Sequence, residues 1–316
     1  MKTVDVALML YANCQMASVH GLGDLFSVAN QYASDHGGTV RIRSYHWSPE
    51  TDEGQRPAYV IVPGRLTAPM DKDEASQLAE WLRDCHAHGA TITSVCGGAF
   101  VLGHCGLLEG RRATTHWFYG DAFRAAFPAT TLMPGDILVE DGDIITAAGM
   151  MAWTDLGLRL VHRILGPTVM ADTAKFLLVD PAGREQRHYS RFAPNLTHGD
   201  KAILKVQHWL QVRAGKEVSV EAMSAEAGLE ARTFLRRFQK ATGVRPTEYV
   251  QDLRVALARE KLEFSRDTVE QIAWDVGYKD PAAFRRVFQR ITGLGVGAYR
   301  DRFNAISGML SPGNLA

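Results

Sequence analysis

The sequence predicts an α/β domain built on a parallel sheet, followed by an all-α domain that contains two helix-turn-helix units. Three observations support this prediction. Apolar segments alternate with helical segments over residues 1–180, the last third of the chain contains an internal repeat, and the two parts differ in net charge. We therefore expect domains at 1–180 and 201–303, a linker at 181–200 and a flexible tail at 304–316.

Four apolar segments in the first part of the chain have the length and composition of buried strands: VDVALML (4–10), VRIRSYH (40–46), AYVIVPG (58–64) and TITSV (91–95). Helical periodicity follows between and after them, near residues 20–33, 72–88, 97–105 and 150–178. Strands that alternate with helices form a parallel sheet covered on both faces. Ligands of such sheets bind at the carboxyl ends of the strands.

The segment SVCGGAF places Cys96 at one of these strand ends, where a strand runs directly into a helix. This is the arrangement of a nucleophile elbow, which exposes a reactive atom above the sheet. The helix N-terminus after Gly97 and Gly98 would favour a thiolate and offer N–H groups to an anion or a carbonyl oxygen. A buried small residue at a tight turn is the alternative, because a nucleophilic cysteine needs a neighbouring base or charge.

The internal repeat is carried by MSAEAGLEARTFLRRFQKATGVRPTEYVQDLR and IAWDVGYKDPAAFRRVFQRITGLGVGAYRDRF. Gly228 corresponds to Gly277 at an offset of 49 residues, and Phe238 corresponds to Phe288 at an offset of 50. Each copy predicts a helix, a turn opened by glycine and a second helix, which is a helix-turn-helix.

The second helix of each copy leaves arginines on the face opposite its phenylalanines. Arginine suits guanine edges and phosphates because its planar fork donates two parallel hydrogen bonds. Two copies at a fixed offset disfavour the alternative of two merely solvated basic faces. The arginines predicted to face outward and bind DNA are Arg232, Arg236, Arg237, Arg285 and Arg286.

Over about residues 200–303 the repeat resembles the DNA-binding domain of the AraC/XylS transcription regulators. The first copy keeps the Gly-x-x-Pro-x-x-Tyr ending of each family unit in full, and the second keeps it except for Val296 at the proline position. The resemblance implies two units joined by one long helix, which would begin at Pro246. It also implies that the positions of Arg232, Arg236, Ala282, Arg285 and Arg286 face the major groove.

The first domain resembles the cysteine-elbow, flavodoxin-like superfamily that includes the PfpI-type proteins. Active members carry an acidic residue after the first strand, and the hydrolytic ones have histidine directly after the cysteine. In this chain Ser18 and Gly97 occupy those positions. We therefore predict a domain that binds a ligand without catalysis and holds neither cofactor nor metal. Its pocket residues would be Ser18, Gly64, Cys96, Gly97 and His116.

The order of the two domains resembles the GlxA-type subgroup of AraC regulators over nearly the whole chain. The resemblance implies a transcription regulator, an activator of catabolic genes, that binds double-stranded DNA and RNA polymerase. Its effector would be a small metabolite, an amino acid or a quaternary amine, and we expect a homodimer. Two alternatives stay open: a cysteine-dependent hydrolase or hydratase with Cys96 as nucleophile and an appended DNA-binding module, or a first domain that serves only for dimerisation.

Net charge is zero overall, but residues 197–316 hold 19 Lys and Arg against 14 Asp and Glu, a balance of +5. A basic second domain on an acidic first one is expected of a sensor joined to a DNA reader. Four cysteines without a CxxC pair indicate neither zinc nor a disulfide framework. Asp5 interrupts the apolar N-terminus, and no window approaches the roughly 18 apolar residues of a membrane helix. We therefore expect a soluble, cytoplasmic protein.

Overall fold

The computed structural model describes residues 1–51, 54–180, 185–213 and 218–305, which form two compact units. The first unit spans Met1–Arg187, and the second begins at His188. The predicted linker crosses this boundary, and its residues 181–184 lie outside the described part of the chain. The predicted tail also lies outside it from residue 306 onward.

The described strands of the first unit form one large sheet and one small one. The large sheet has six strands in the order β2-β1-β3-β4-β8-β7, and every neighbouring pair is parallel except β7 and β8. Strands β5 and β6 pair with each other in the small sheet. The strands are β1 (Lys2–Met9), β2 (Val40–Trp47), β3 (Tyr59–Val62), β4 (Thr91–Val95), β5 (Arg112–Ala113), β6 (Thr131–Leu132), β7 (Leu138–Asp141) and β8 (Ile144–Ala147).

Helices cover the large sheet and enclose a hydrophobic cluster on each face. One cluster includes Leu78 and Leu82, and the other includes Leu22, Leu25 and Leu156. The single helical region predicted over 150–178 is divided at Gly166, whose φ of 95° ends one helix before Pro167 begins the next. The helices are α1 (Met16–Asp35), α2 (Lys72–Ala87), α3 (Gly98–His104), α4 (Gly120–Ala126), α5 (Trp153–Leu165) and α6 (Pro167–Phe176).

The described part of the second unit is helical, and the internal repeat is visible in its packing. The rings of Phe238 and Tyr249 lie edge to face with centroids 5.3 Å apart, and those of Phe288 and Tyr299 repeat this contact at 5.3 Å. The helices are α7 (Lys201–Val212), α8 (Val220–Ala227), α9 (Ala231–Thr242), α10 (Pro246–Phe264), α11 (Val269–Asp275), α12 (Pro281–Thr292) and α13 (Val296–Phe303).

Helix α10 joins the two copies, as the resemblance implies. Its first half contributes Val250 and Leu253 to the cluster of the first copy, and its second half contributes Val255 and Leu262 to that of the second. Helix α13 begins at Val296 although this position lacks the proline of the family pattern. The helix-turn-helix pairs are therefore α8 with α9 and α11 with α12.

Part of the predicted linker belongs to the fold of the second unit. The ring of Phe192 lies edge to face on Tyr249, with centroids 4.9 Å apart. The guanidinium of Arg259 donates a hydrogen bond to the carbonyl oxygen of Ser190 and lies 5.4 Å from the centre of the Tyr299 ring. The alternation of charge and proline that suggests a linker thus describes a segment fixed by aromatic and polar contacts.

Candidate functional site

Helices α9 and α12 present matching exposed faces. Each buries two phenylalanines, and exposed residues recur on the opposite side at spacings of three and four. Side chains at this spacing lie on one helix face. The first stripe consists of Arg232, Leu235, Arg236 and Gln239, and the second stripe consists of Ala282, Arg285, Arg286 and Gln289.

Each of these helices follows a turn that begins at a glycine, but only α12 has a side-chain cap. Gly228 and Gly277 end the preceding helix or begin the turn with φ values of 64° and 91°, a region that favours glycine. Asp280 caps α12 by accepting hydrogen bonds from the N–H groups of Ala282 and Ala283 at 2.8 and 3.1 Å. Glu230, the corresponding residue before α9, makes no side-chain cap.

Four of the predicted arginines lie on the two stripes. Arg232 and Arg236 are exposed on α9, and Arg285 and Arg286 are exposed on α12. The guanidinium of Arg285 donates to the carboxylate of Glu270 on α11. This pair orients the Arg285 fork while leaving it at the surface.

Arg237 departs from the outward position expected of it. Its guanidinium donates two hydrogen bonds to the Asp200 carboxylate, at 2.9 and 2.7 Å. The hydrogen bond from Arg237 holds the pKa of Asp200 below its usual value. Because Asp200 also caps α7 through the N–H of Ile203, Arg237 ties α9 to α7 and lies beside the exposed stripe, not on it. The phenylalanine spacing alone does not resolve this, since residues 236 and 237 differ by only 100° around the helix.

The elbow is formed as the sequence predicts. Cys96 follows β4 with a φ of 54°, a left-handed conformation rare in non-glycine residues. Its Cβ lies 3.1 Å from the position that a Cβ on Gly64 would take, so an added side chain there would be in tight contact with the elbow. A Cβ on Gly98 would lie 2.5 Å from the carbonyl oxygen of Val62. The turn is therefore packed directly against the backbone after β3.

The electrostatics of the elbow favour a neutral thiol. Cys96 is 2% exposed, and burial raises its pKa to about 11. The backbone N–H groups of Gly97 and Gly149 near the sulfur lower the pKa by a smaller amount. No basic side chain among the described residues contributes to this balance. A cysteine of this kind is a weak nucleophile at neutral pH.

The other predicted pocket residues are spread around this turn. Ser18 is fully buried, and its hydroxyl donates to the carbonyl oxygen of Gln15 at 2.7 Å. The ring of His116 accepts a hydrogen bond from the N–H of Phe118 at 3.1 Å, and burial lowers its pKa. A Cβ on Gly149 would lie 3.9 Å from that ring. The structure thus brings His116 to Gly149 beside the elbow, while among the described contacts no hydrogen bond joins it to Cys96.

Both halves of the chain match known families. Residues 26–163 match the DJ-1/PfpI family, and residues 223–302 match the family described as "Helix-turn-helix domain". The chain is 28% identical over 240 residues to the HTH-type transcriptional regulator GlxA of Rhizobium meliloti, an alignment that covers 74% of this chain and 72% of that protein. The chain thus carries a DJ-1/PfpI domain followed by an AraC-type helix-turn-helix domain, and its relatives include GlxA-type transcriptional regulators.

A second relative is the HTH-type transcriptional regulator CdhR of Pseudomonas aeruginosa, 27% identical over 229 residues. The alignment covers 72% of this chain and 65% of CdhR, so the chain spans about two thirds of that relative. The isonitrile hydratase of Pseudomonas putida is 38% identical over 120 residues, which cover 37% of this chain and 48% of that enzyme. The kinship to an enzyme is therefore limited to the DJ-1/PfpI part.

Sequence reasoning missed one polar residue at the elbow. Gln15 is 6% exposed, its N–H donates to the carbonyl oxygen of Gly64 at 2.8 Å, and its side-chain oxygen has no partner among the described residues. Leaving a buried acceptor unpaired costs about 1–3 kcal/mol. The clue in the sequence was its place in the loop after β1, at the sheet edge where ligands bind.

The same reasoning overlooked Leu235 and the two glutamines of the stripes, which the repeat offset alone places on the exposed faces. Among the described residues, no group of three His, Cys, Asp or Glu side chains is arranged to hold a metal ion. No described helix is both long and apolar enough to cross a membrane.

Proposed function

We propose that this chain is a sequence-specific DNA-binding regulator that activates transcription of catabolic genes when a small metabolite binds at the Cys96 elbow. The observation that carries the proposal is the pair of exposed stripes on α9 and α12, each backed by the same phenylalanine packing. Two such helices on one scaffold would read successive major-groove segments about 34 Å apart on one face of the duplex. Homodimerisation, contact with RNA polymerase and a cytoplasmic location complete the proposal.

The elbow supports a ligand that carries both hydrogen-bond acceptors and N–H donors. The backbone N–H groups of Gly97 and Gly149 lie near the sulfur and are suited to a carboxylate or carbonyl oxygen. The unpaired oxygen of Gln15 accepts from an N–H. An amino acid supplies both groups, whereas a quaternary amine has no N–H. We therefore favour an amino acid over a quaternary amine as the effector.

Variants at the elbow test the effector site. The readout is a reporter gene under a promoter selected by capturing host genomic fragments on the full-length protein, with the twenty amino acids as the metabolites tried. Cys96→Ser keeps the volume and the neutral side chain, so we expect the response to survive. Gly97→Trp fills the turn and Gln15→Met removes the free acceptor, so we expect each to abolish the response and retain DNA binding.

The alternative is a cysteine-dependent hydrolase or hydratase, favoured by the kinship of the DJ-1/PfpI part to the isonitrile hydratase. The enzyme hypothesis predicts that Cys96→Ser has the largest effect of the variants above, because activity would vanish with the thiol. A turnover assay on the wild type and on Cys96→Ser separates the two. Sustained consumption of a metabolite, such as an isonitrile, that disappears in Cys96→Ser would replace the regulator proposal with the enzyme.

A further inference from the structure

Leu235 is a large apolar side chain on an otherwise polar stripe. It is 42% exposed, while its neighbours Phe234 and Phe238 are fully buried. A single exposed leucine is ordinary on a protein surface, so exposure by itself assigns nothing. Its position is informative: Arg232 precedes it by three residues and Arg236 follows it directly, so the three side chains share one helix face.

The two stripes agree at two positions and differ at the other two. Arg236 matches Arg286, and Gln239 matches Gln289. At the other two positions each stripe has one arginine, but not at the same position. The first stripe has Arg232 and Leu235 where the second has Ala282 and Arg285. Because both helices bury the same phenylalanines, packing does not demand this exchange.

In the major groove, leucine and arginine contact different chemical groups of the bases. Each base pair presents hydrogen-bonding groups there, and thymine adds the one apolar group, its C5-methyl. Leucine neither donates nor accepts a hydrogen bond, whereas Arg285 at the matching position can donate two to a guanine. The arginines beside Leu235 complement phosphate charge, which favours nucleic acid over an apolar protein face as the partner.

We propose that Leu235 reads the C5-methyl of a thymine in the half-site bound by α9, and that this contact distinguishes that half-site from the one bound by α12. The inference rests on the proposed DNA-binding function. It adds a specificity residue that forms no hydrogen bond, at the position where the second copy reads by hydrogen bonds.

The test removes one methyl group at a time. A duplex is first selected from random sequence with the full-length protein, and each thymine of its two half-sites is then replaced in turn by deoxyuridine. We expect one substitution in one half-site to weaken wild-type binding about three- to fivefold, the effect of one buried methyl group. Leu235→Ala should bind thymine and deoxyuridine duplexes equally, and Leu235→Met should keep the preference.

Two further variants make the result specific. Val212→Ala shortens an apolar side chain that is 87% exposed on a different helix, α7, and should keep the methyl preference. Leu235→Arg copies the second stripe and should select guanine at the position where the wild type selects thymine.

The two levels of the proposal fail differently. A selected duplex whose binding ignores every methyl group, or a preference that survives Leu235→Ala, would overturn the thymine contact and leave DNA binding intact. Failure of the full-length protein to enrich any duplex would overturn the proposed function and the contact together.

Discussion

Adjacent glycines at the elbow should respond very differently to one added methyl group. A Cβ on Gly98 would meet two carbonyl oxygens of the neighbouring backbone at 2.5 and 2.7 Å, whereas the nearest atom to a Cβ on Gly97 would be a side-chain carbon of Pro69, at 3.6 Å. We expect Gly98→Ala to lower the free energy of unfolding by about 1–3 kcal/mol, because backbone cannot move aside cheaply. Gly97→Ala is the matched control and should change it little. Urea unfolding of both variants measures the difference, and equal stability would contradict the packing described.

Adjacent arginines on α9 should separate stability from DNA binding. Arg237→Ala breaks the ion pair with Asp200, while Arg236→Ala changes only an exposed residue. We expect Arg237→Ala to lower the thermal midpoint at pH 7 by a small, measurable amount. We expect Arg236→Ala to keep the midpoint and weaken operator binding, since its side chain lies on the first stripe.

The pH dependence of the Arg237→Ala effect has a fixed sign. The pKa of Asp200 is lowered in the folded state, so the pair stabilises above the unfolded pKa of this carboxylate and its contribution is lost as pH falls through the folded pKa. The midpoints of wild type and Arg237→Ala should therefore converge in acid. A gap that persists unchanged to pH 2 would show that the effect of Arg237 does not come from this pair.

Residues whose role follows from their neighbours in the sequence could be predicted. Cys96 needed only the strand before it and the glycines after it. Gln15 and Asp200 could not be predicted, because their importance comes from partners that the fold brings, or fails to bring, to a buried group. A charged or amide side chain carries no local sign of that.

The two recognition helices should differ in the stability of their first turns. Asp280 satisfies two N–H groups at the start of α12, and Glu230 satisfies none with its side chain at the start of α9. We expect the first-turn amides of α9 to exchange with deuterium faster than those of α12. Asp280→Ala should remove the difference and destabilise the second unit by about 1 kcal/mol. Hydrogen exchange with peptide resolution measures both, and equal exchange in the wild type would argue against a role for the cap.

The helices of the second unit were predictable from the sequence, whereas one hairpin of the first unit was missed. Helices α9, α10 and α12 follow from apolar periodicity with glycine or proline at their ends. The hairpin of β7 and β8 was missed, and with it the antiparallel edge of a sheet expected to be parallel throughout. Its strands are four residues each, as is β3, which was predicted, so length alone does not explain the miss. The two-residue connection Gly142-Asp143 is the local signal that indicates a hairpin.

At the scale of the whole molecule, each unit has hydrophobic clusters of its own. We therefore expect two transitions in calorimetry of the full-length protein, since separate cores can melt separately. Gly98→Ala should lower only the transition of the first unit, and Asp280→Ala only that of the second. A single transition shifted by both variants would contradict this expectation.

Because the two stripes differ in the position of one arginine, the operator would have a defined orientation. Two identical stripes would bind two identical half-sites. Here Leu235 of α9 and Arg285 of α12 would select different base pairs at the matching position, so the two half-sites would differ. A reversed operator would set Leu235 against the base meant for Arg285. Each copy of the protein would therefore bind its promoter in one orientation only. The operator sequence would then determine which of two divergent genes is regulated.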